Sequence, residues 1–142
     1  PLRVPPSYSF KDVKDQWKTS LQVQAREMAR FVHMGGRVAT GSDLEPVPPI
    51  VPGLSILQEL ELFVQGGMTP LEALRASTIG AAEILGWQDR FGSIEVGKQA
   101  DIVVLDGNPL TDIKQVEAID SVVAAGRLYR IGELKNQLRT EP

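Results

Sequence analysis

The spacing of apolar residues changes near residue 88, and this change constrains the fold more than any other feature of the chain. Up to Trp87 the apolar positions recur at three and four residues, the period of a helix with one buried face. Beyond it they alternate with polar residues or run together, as in strands. One short strand-like run, Val38-Ala39-Thr40, interrupts the helical part. A helix leading into such a strand suits an α/β barrel or a layered sheet. The expected division is residues 1–88 as an α/β part and residues 89–142 as a small β part with a C-terminal tail.

Local signals place the elements. Pro1-Leu2-Arg3-Val4-Pro5-Pro6 excludes a helix and reads as a loop. Ser9 and Asp12 form a capping pair for a helix whose apolar side is Val13, Trp17, Leu21, Met28 and Val32. Gly35-Gly36 ends it, because glycine takes the left-handed cap without steric cost. Val38 to Thr40 reads as a buried strand whose C-terminal end is Asp43. Pro46, Pro48, Pro49 and Pro52 mark an ordered loop or a lid. Ser55 with Gln58 is expected to cap the next helix, with Leu57, Leu60 and Val64 as its buried stripe and Gly66-Gly67 as its stop. Thr69-Pro70-Leu71-Glu72 is the sharpest local signal: a cap, a proline where the missing N–H costs nothing, and a glutamate that closes the box. Thr78 is expected to cap a short helix ended by Gly86. Alternation at Ile94 and Val96 and the run Ile102 to Leu105 predict strands. Val122-Val123 and Leu128-Tyr129 are expected to pair across Ala125-Gly126, and Leu134 and Leu138 to lie on a last helix.

Composition bounds the function. Hydrophobic residues make up 42% and charged residues 23%, an ordinary globular mix able to bury a core. A net charge of -3 gives nucleic acid no electrostatic attraction, and no basic run offers a membrane patch. The sequence holds no cysteine, which removes disulfides, thiolate metal sites and cysteine nucleophiles and fits a cytoplasmic location. The chain opens on Pro1, so polypeptide is expected upstream.

Three stretches resemble one family. Gly36-Arg37-Val38-Ala39-Thr40-Gly41-Ser42-Asp43 is similar to the last barrel strand of the amidohydrolase superfamily. Gly67-Met68-Thr69-Pro70-Leu71-Glu72-Ala73-Leu74-Arg75-Ala76-Ser77-Thr78 resembles the helix that follows it. The run from Gly92 to Asp106 resembles the strand pair that re-enters the family's β-sandwich. The order and spacing agree from the first helix to Tyr129, and the pattern looks most like the imidazolonepropionase-related and Xaa-Pro dipeptidase-like branch. The resemblance implies an α/β fold: the C-terminal part of a TIM-barrel metal hydrolase plus part of a small β-sandwich. A whole barrel needs about 250 residues. The family's His-x-His pair, bridging lysine and two later histidines would then lie upstream, since His33 is the one histidine here.

Asp43 is the candidate catalytic and metal-binding residue. It follows a strand, where barrel enzymes place catalytic groups. One carboxylate oxygen can bind a divalent cation, and the other can accept a proton from water that the cation acidifies. The same carboxyl can then hand the proton to a leaving nitrogen. The resemblance gives the matching aspartate this double role. It implies one or two divalent ions, zinc foremost, with most ligands outside this chain. It also implies a small-molecule substrate with an amide, cyclic amide or ester bond, and inactivity without the missing N-terminal region. By itself the Gly-Ser-Asp triplet suits a turn or cap equally well. A competing reading is a non-catalytic binding or assembly module derived from such an enzyme.

The remaining candidates read as structural. His33 lies at a helix end, where an imidazolium can interact with the helix dipole. Glu59 and Glu61 are two apart on a helix and do not share a face, so a solvated surface is expected. Glu45 and its prolines border a pocket or form a surface loop. Trp17 and Trp87 are expected in a core or an interface. Gly80 stands where the family often has asparagine, and it is expected to weaken the helix start. Open strand edges predict association with the missing portion or with a second copy.

Overall fold

The computed structural model describes residues 10–41 and 53–140. The expected Ser9–Asp12 cap, the opening proline loop, Asp43, Glu45 and the prolines of the following loop lie outside the described residues or their described side chains.

Glycines set the helix lengths. The first helix, α1, spans Phe10–His33. It closes when Gly36 N–H donates to Phe31 O at 2.8 Å and Gly35 N–H to Val32 O at 2.9 Å, with Gly35 at φ 89°. These paired bonds form the Schellman stop. The second helix, α2 (Leu54–Gly66), ends the same way, with Met68 N–H on Phe63 O at 3.1 Å and Gly67 N–H on Val64 O at 3.0 Å. The helix α4 (Ile79–Ile84) ends through Trp87 N–H on Ala82 O at 2.8 Å and Gly86 N–H on Glu83 O at 3.3 Å.

Between them α3 (Pro70–Ala76) starts from the expected capping box. Thr69 Oγ1 accepts the Glu72 N–H at 3.2 Å, and Glu72 Oε2 accepts the Thr69 N–H at 2.7 Å. Two other expected caps differ. α2 begins one residue before Ser55, behind Gly53 at φ 82°, with no side-chain bond at the cap position. Thr78 does precede α4, but its hydroxyl donates backward to Leu74 O at 2.7 Å. The carbonyl of the preceding helix has captured the group that would have capped the next one.

α1 and α2 cross through small residues. A Cβ placed on Gly66 would strike the backbone of Ala25, so the two helices touch main chain to main chain. Ala25 and Ala29 are buried there. Trp17, at 67% exposure, with Leu21 and Met28, is largely uncovered, so the apolar stripe of α1 is helical as expected yet only partly buried. Leu60 and Phe63 of α2, Met68, and Ala73 and Ala76 of α3 complete the core. Ile113 and Val116, on a 3-10 turn at Ile113–Glu117, enter the same cluster.

The sheet is antiparallel in the order β1 (Ile102–Leu105), β2 (Ile119–Ala124), β3 (Arg127–Arg130). Val122 pairs with Tyr129 and Val123 with Leu128, the expected hairpin. Ala125 at φ 50° and Gly126 at φ 80° make its two-residue turn, both left-handed as a strand-matched turn requires. Asp101 secures the alanine in that unfavourable region: its Oδ1 accepts Ala125 N–H at 2.6 Å, and its Oδ2 accepts from Gln99 Nε2 at 2.8 Å. The expected strand at Ile94 and Val96 does not form. Ile94 lies in irregular chain and is 81% exposed, and Val96 lies in a turn and is fully exposed. Lys98 stitches this loop instead, donating to Ser93 Oγ at 2.6 Å and Glu95 Oε1 at 3.2 Å. The final helix, α5, covers Ile131–Thr140. The described residues thus form an α/β structure with one three-stranded sheet.

Candidate functional site

The segment from Gly36 to Gly41 leaves the α1 stop in extended form and leads toward Asp43. Burial alternates along it: Gly36, Val38 and Thr40 are half-buried, and Arg37, Ala39 and Gly41 are exposed. That is the signature of a strand with one covered face. Among the described residues it belongs to no strand, which corrects the expectation of a buried strand at Val38–Thr40. Its N–H groups go to helices instead. Thr40 N–H donates to Ala76 O of α3 at 3.3 Å, and Gly41 N–H donates to Glu59 Oε2 of α2 at 2.9 Å.

The expectation that Glu59 faces solvent is therefore also corrected. It is half-buried, and it lines a groove of about 380 Å³ between α1, α2 and the extended segment. Leu21, Met28, Val38, Leu62 and Phe63 supply the apolar walls. Burial pushes the Glu59 carboxyl above its ordinary value of 4.5, and the bond from Gly41 pulls it partly back. No spacing rule marks one of two helical glutamates as inward-facing. Glu61 is half-buried as well, and both glutamates adjoin the buried Leu60, so their place along the chain does not separate them.

His33 closes α1, and its Nε2 lies 3.6 Å from Glu72 Oε2. Glu72 sits below the usual carboxylate range, first because of the Thr69 backbone and hydroxyl bonds. His33 thus adjoins a helix cap. Trp17 and Trp87 are exposed, which removes them from the core of the described residues. Gly80 is also reinterpreted: a Cβ there would come within 2.7 Å of Arg75 O, so the position requires a residue without a side chain. Among the described residues no three His, Cys, Asp or Glu side chains gather as a metal site, so these residues alone do not fit a divalent cation.

Residues 12–129 match the profile of the Amidohydrolase family. The chain belongs to the amidohydrolase family. Ochratoxinase of Aspergillus niger is 32% identical over 123 residues, covering 83% of this chain and 25% of that enzyme. Imidazolonepropionase of Geobacillus sp. (strain WCH70) is 38% identical over 86 residues, covering 61% of this chain and 20% of that enzyme. A crystal structure of a Xaa-Pro dipeptidase with methionine bound in its active site superposes with a TM-score of 0.66. The two are 31% identical, over 75% of this chain and 25% of the dipeptidase. This amidohydrolase chain spans about a quarter of the length of the first of these relatives. Its matched region contains the extended segment, the groove, Asp43 and the sheet through Tyr129. Among the described residues no helix is long and apolar enough to cross a membrane.

Proposed function

We propose that this chain is the C-terminal portion of a metal-dependent amidohydrolase and that Asp43 is its catalytic carboxylate. In this reading residues 1–88 supply the last helices and strand of a TIM barrel, and residues 89–142 a segment of a β-sandwich. The observation that carries the reading is the extended segment Gly36–Gly41. It lies within the family match, is covered on one face, and delivers the chain to Asp43 two residues later. In the proposed barrel this segment would complete the last strand, and the position just past a barrel strand is where such enzymes place reacting groups.

Asp43 would provide one ligand to a divalent cation, zinc foremost, with the other ligands outside residues 1–142. When bound, such a cation polarises a carbonyl and acidifies water. The Asp43 carboxylate takes a proton from the attacking water and returns it to the leaving nitrogen. The substrate class is a small molecule with a hydrolysable C–N bond in an amide or cyclic amide, or an ester. The names of the relatives, a dipeptidase and an imidazolonepropionase among them, support this breadth.

The test is metal content and amide hydrolysis of the intact protein, purified alone and with any companion chain. Asp43→Asn is expected to lower hydrolysis by on the order of 10²–10⁴-fold. A preparation that carries no metal and hydrolyses nothing in either form overturns the proposal.

A further inference from the structure

We infer that the open edge of β1 is closed by a strand from polypeptide beyond residues 1–142, apolar in its middle and basic where it passes Asp106. The inference rests on the reading of this chain as one portion of an amidohydrolase, and it names where another portion attaches.

β1 lies at one edge of the sheet, with β2 on its other side. Among the described residues no group outside β2 bonds to the main chain of Ile102–Leu105. An edge in this state is a template for a further strand. The two edges of the sheet are guarded differently. β3 begins with Arg127 and ends with Arg130, and charged residues so placed deter edge pairing. β1 is Ile-Val-Val-Leu, without a charge, proline or glycine to deter it.

The faces of the sheet agree. Val103, Val122 and Tyr129 are register partners, and so are Ile102, Val123 and Leu128. These two rows fall on opposite faces. Both faces are therefore apolar here, the pattern of a sheet covered on both sides rather than wetted on one. α5 packs against β2 and β3. Val103 and Val104 remain 54% and 43% exposed.

Charge selects the occupant. Asp101 and Asp106 bracket β1. If two copies paired antiparallel with their apolar residues in register, Asp101 of each would face Asp106 of the other. Like charges directly opposite destabilise a ladder. Asp101 is already engaged by Ala125 and Gln99. Asp106 is exposed, and among the described residues its carboxylate has no partner. A strand of different sequence, with Lys or Arg at that point, turns the repulsion into attraction. This chain spans about a quarter of the length of ochratoxinase, so an enzyme of that size holds ample further polypeptide to supply the strand.

The test is residue-resolved hydrogen exchange in the intact protein, with its mass measured by light scattering. With β2 as the sole neighbour, the β1 amides that face the open edge lack an acceptor and exchange nearly as fast as in open chain. With the edge closed, every amide of Ile102–Leu105 is expected to be slowed by at least about 100-fold. Asp106→Lys is expected to speed exchange of the edge-facing amides by about 2–10-fold, less so in about 1 M salt, while the β2-facing amides keep their rates. Edge-facing amides that exchange like open chain, in a protein that holds metal and hydrolyses amides, overturn this inference alone. Unchanged rates in D106K overturn the basic partner. A dimer that becomes a monomer in Val104→Lys assigns the edge to a second copy and overturns the inference as well. Absence of both metal and hydrolysis overturns the reading of the chain, and the inference with it.

Discussion

Replacing Gly66 by alanine sets two well-understood effects against each other. Within a helix, alanine is favoured over glycine by about 1 kcal/mol. At Gly66, however, the added Cβ would strike the backbone carbonyl and Cβ of Ala25 on the crossing helix. Backbone cannot swing aside as the end of a long side chain can. The helices must separate by on the order of 1 Å, loosening the contacts around Ala25, Ala29 and Phe63. Overpacking of this kind costs about 1–3 kcal/mol, and a main-chain contact belongs at the upper end. The net expectation is a loss of about 2 kcal/mol, taking the higher cost less the helix gain. With a urea slope of about 2 kcal/mol/M, the midpoint should fall by about 1 M. Gly132→Ala is the internal control. It lies in α5, and its added Cβ meets nothing within 4 Å, so the propensity gain stands alone and the midpoint should rise slightly. If Gly66→Ala unfolds at the same urea concentration as wild type or higher, while Gly132→Ala behaves as expected, the close crossing is not what holds α1 to α2.

Two further expectations concern polar contacts. Asp101→Ala should destabilise by about 1–2 kcal/mol, because Ala125 loses the acceptor that holds it at positive φ; Asp101→Asn should restore most of the loss in a thermal melt. Thr69→Ala should cost about 1 kcal/mol at neutral pH through the lost capping box. The folded Glu72 carboxyl lies below its ordinary 4.5, so its contribution is present above that value and is lost as pH falls through the folded value. The gap between wild type and Thr69→Ala should therefore narrow in melts taken below pH 4.5. Wild-type stability in either alanine variant at neutral pH would count against the contact it removes.

Elements set by short-range chemistry were readable in advance. The capping box at Thr69 and Glu72, the glycine stops at Gly35, Gly67 and Gly86, and the turn at Ala125-Gly126 each involve about six residues or fewer. What escaped prediction depends on packing and on competing partners, some of them close in sequence, as when Leu74 O takes the Thr78 hydroxyl. Val38–Thr40 has strand-like burial, yet a ladder needs a partner that the described residues do not supply. Ile94 and Val96 show a strand's alternation for the same reason without forming one. Glu59 was misplaced because a rule about i and i+2 says only that two side chains diverge, not that either reaches solvent, and both glutamates are half-buried. Gly80 looked like a weak helix start because propensity ignores the Arg75 carbonyl pressed against it. Asp43 was proposed only through a family pattern, because one carboxylate after a glycine-serine pair has no chemical signature of its own, and it lies outside the described residues.

The Schellman stops of α1, α2 and α4 each close within a single hexapeptide, using nothing but that hexapeptide's own main chain. The three rods are thus punctuated before they meet one another. Any rearrangement that moves this stretch into a new setting, whether gene fusion, permutation or recombination between relatives, carries its lengths along and leaves only their mutual angles to be settled.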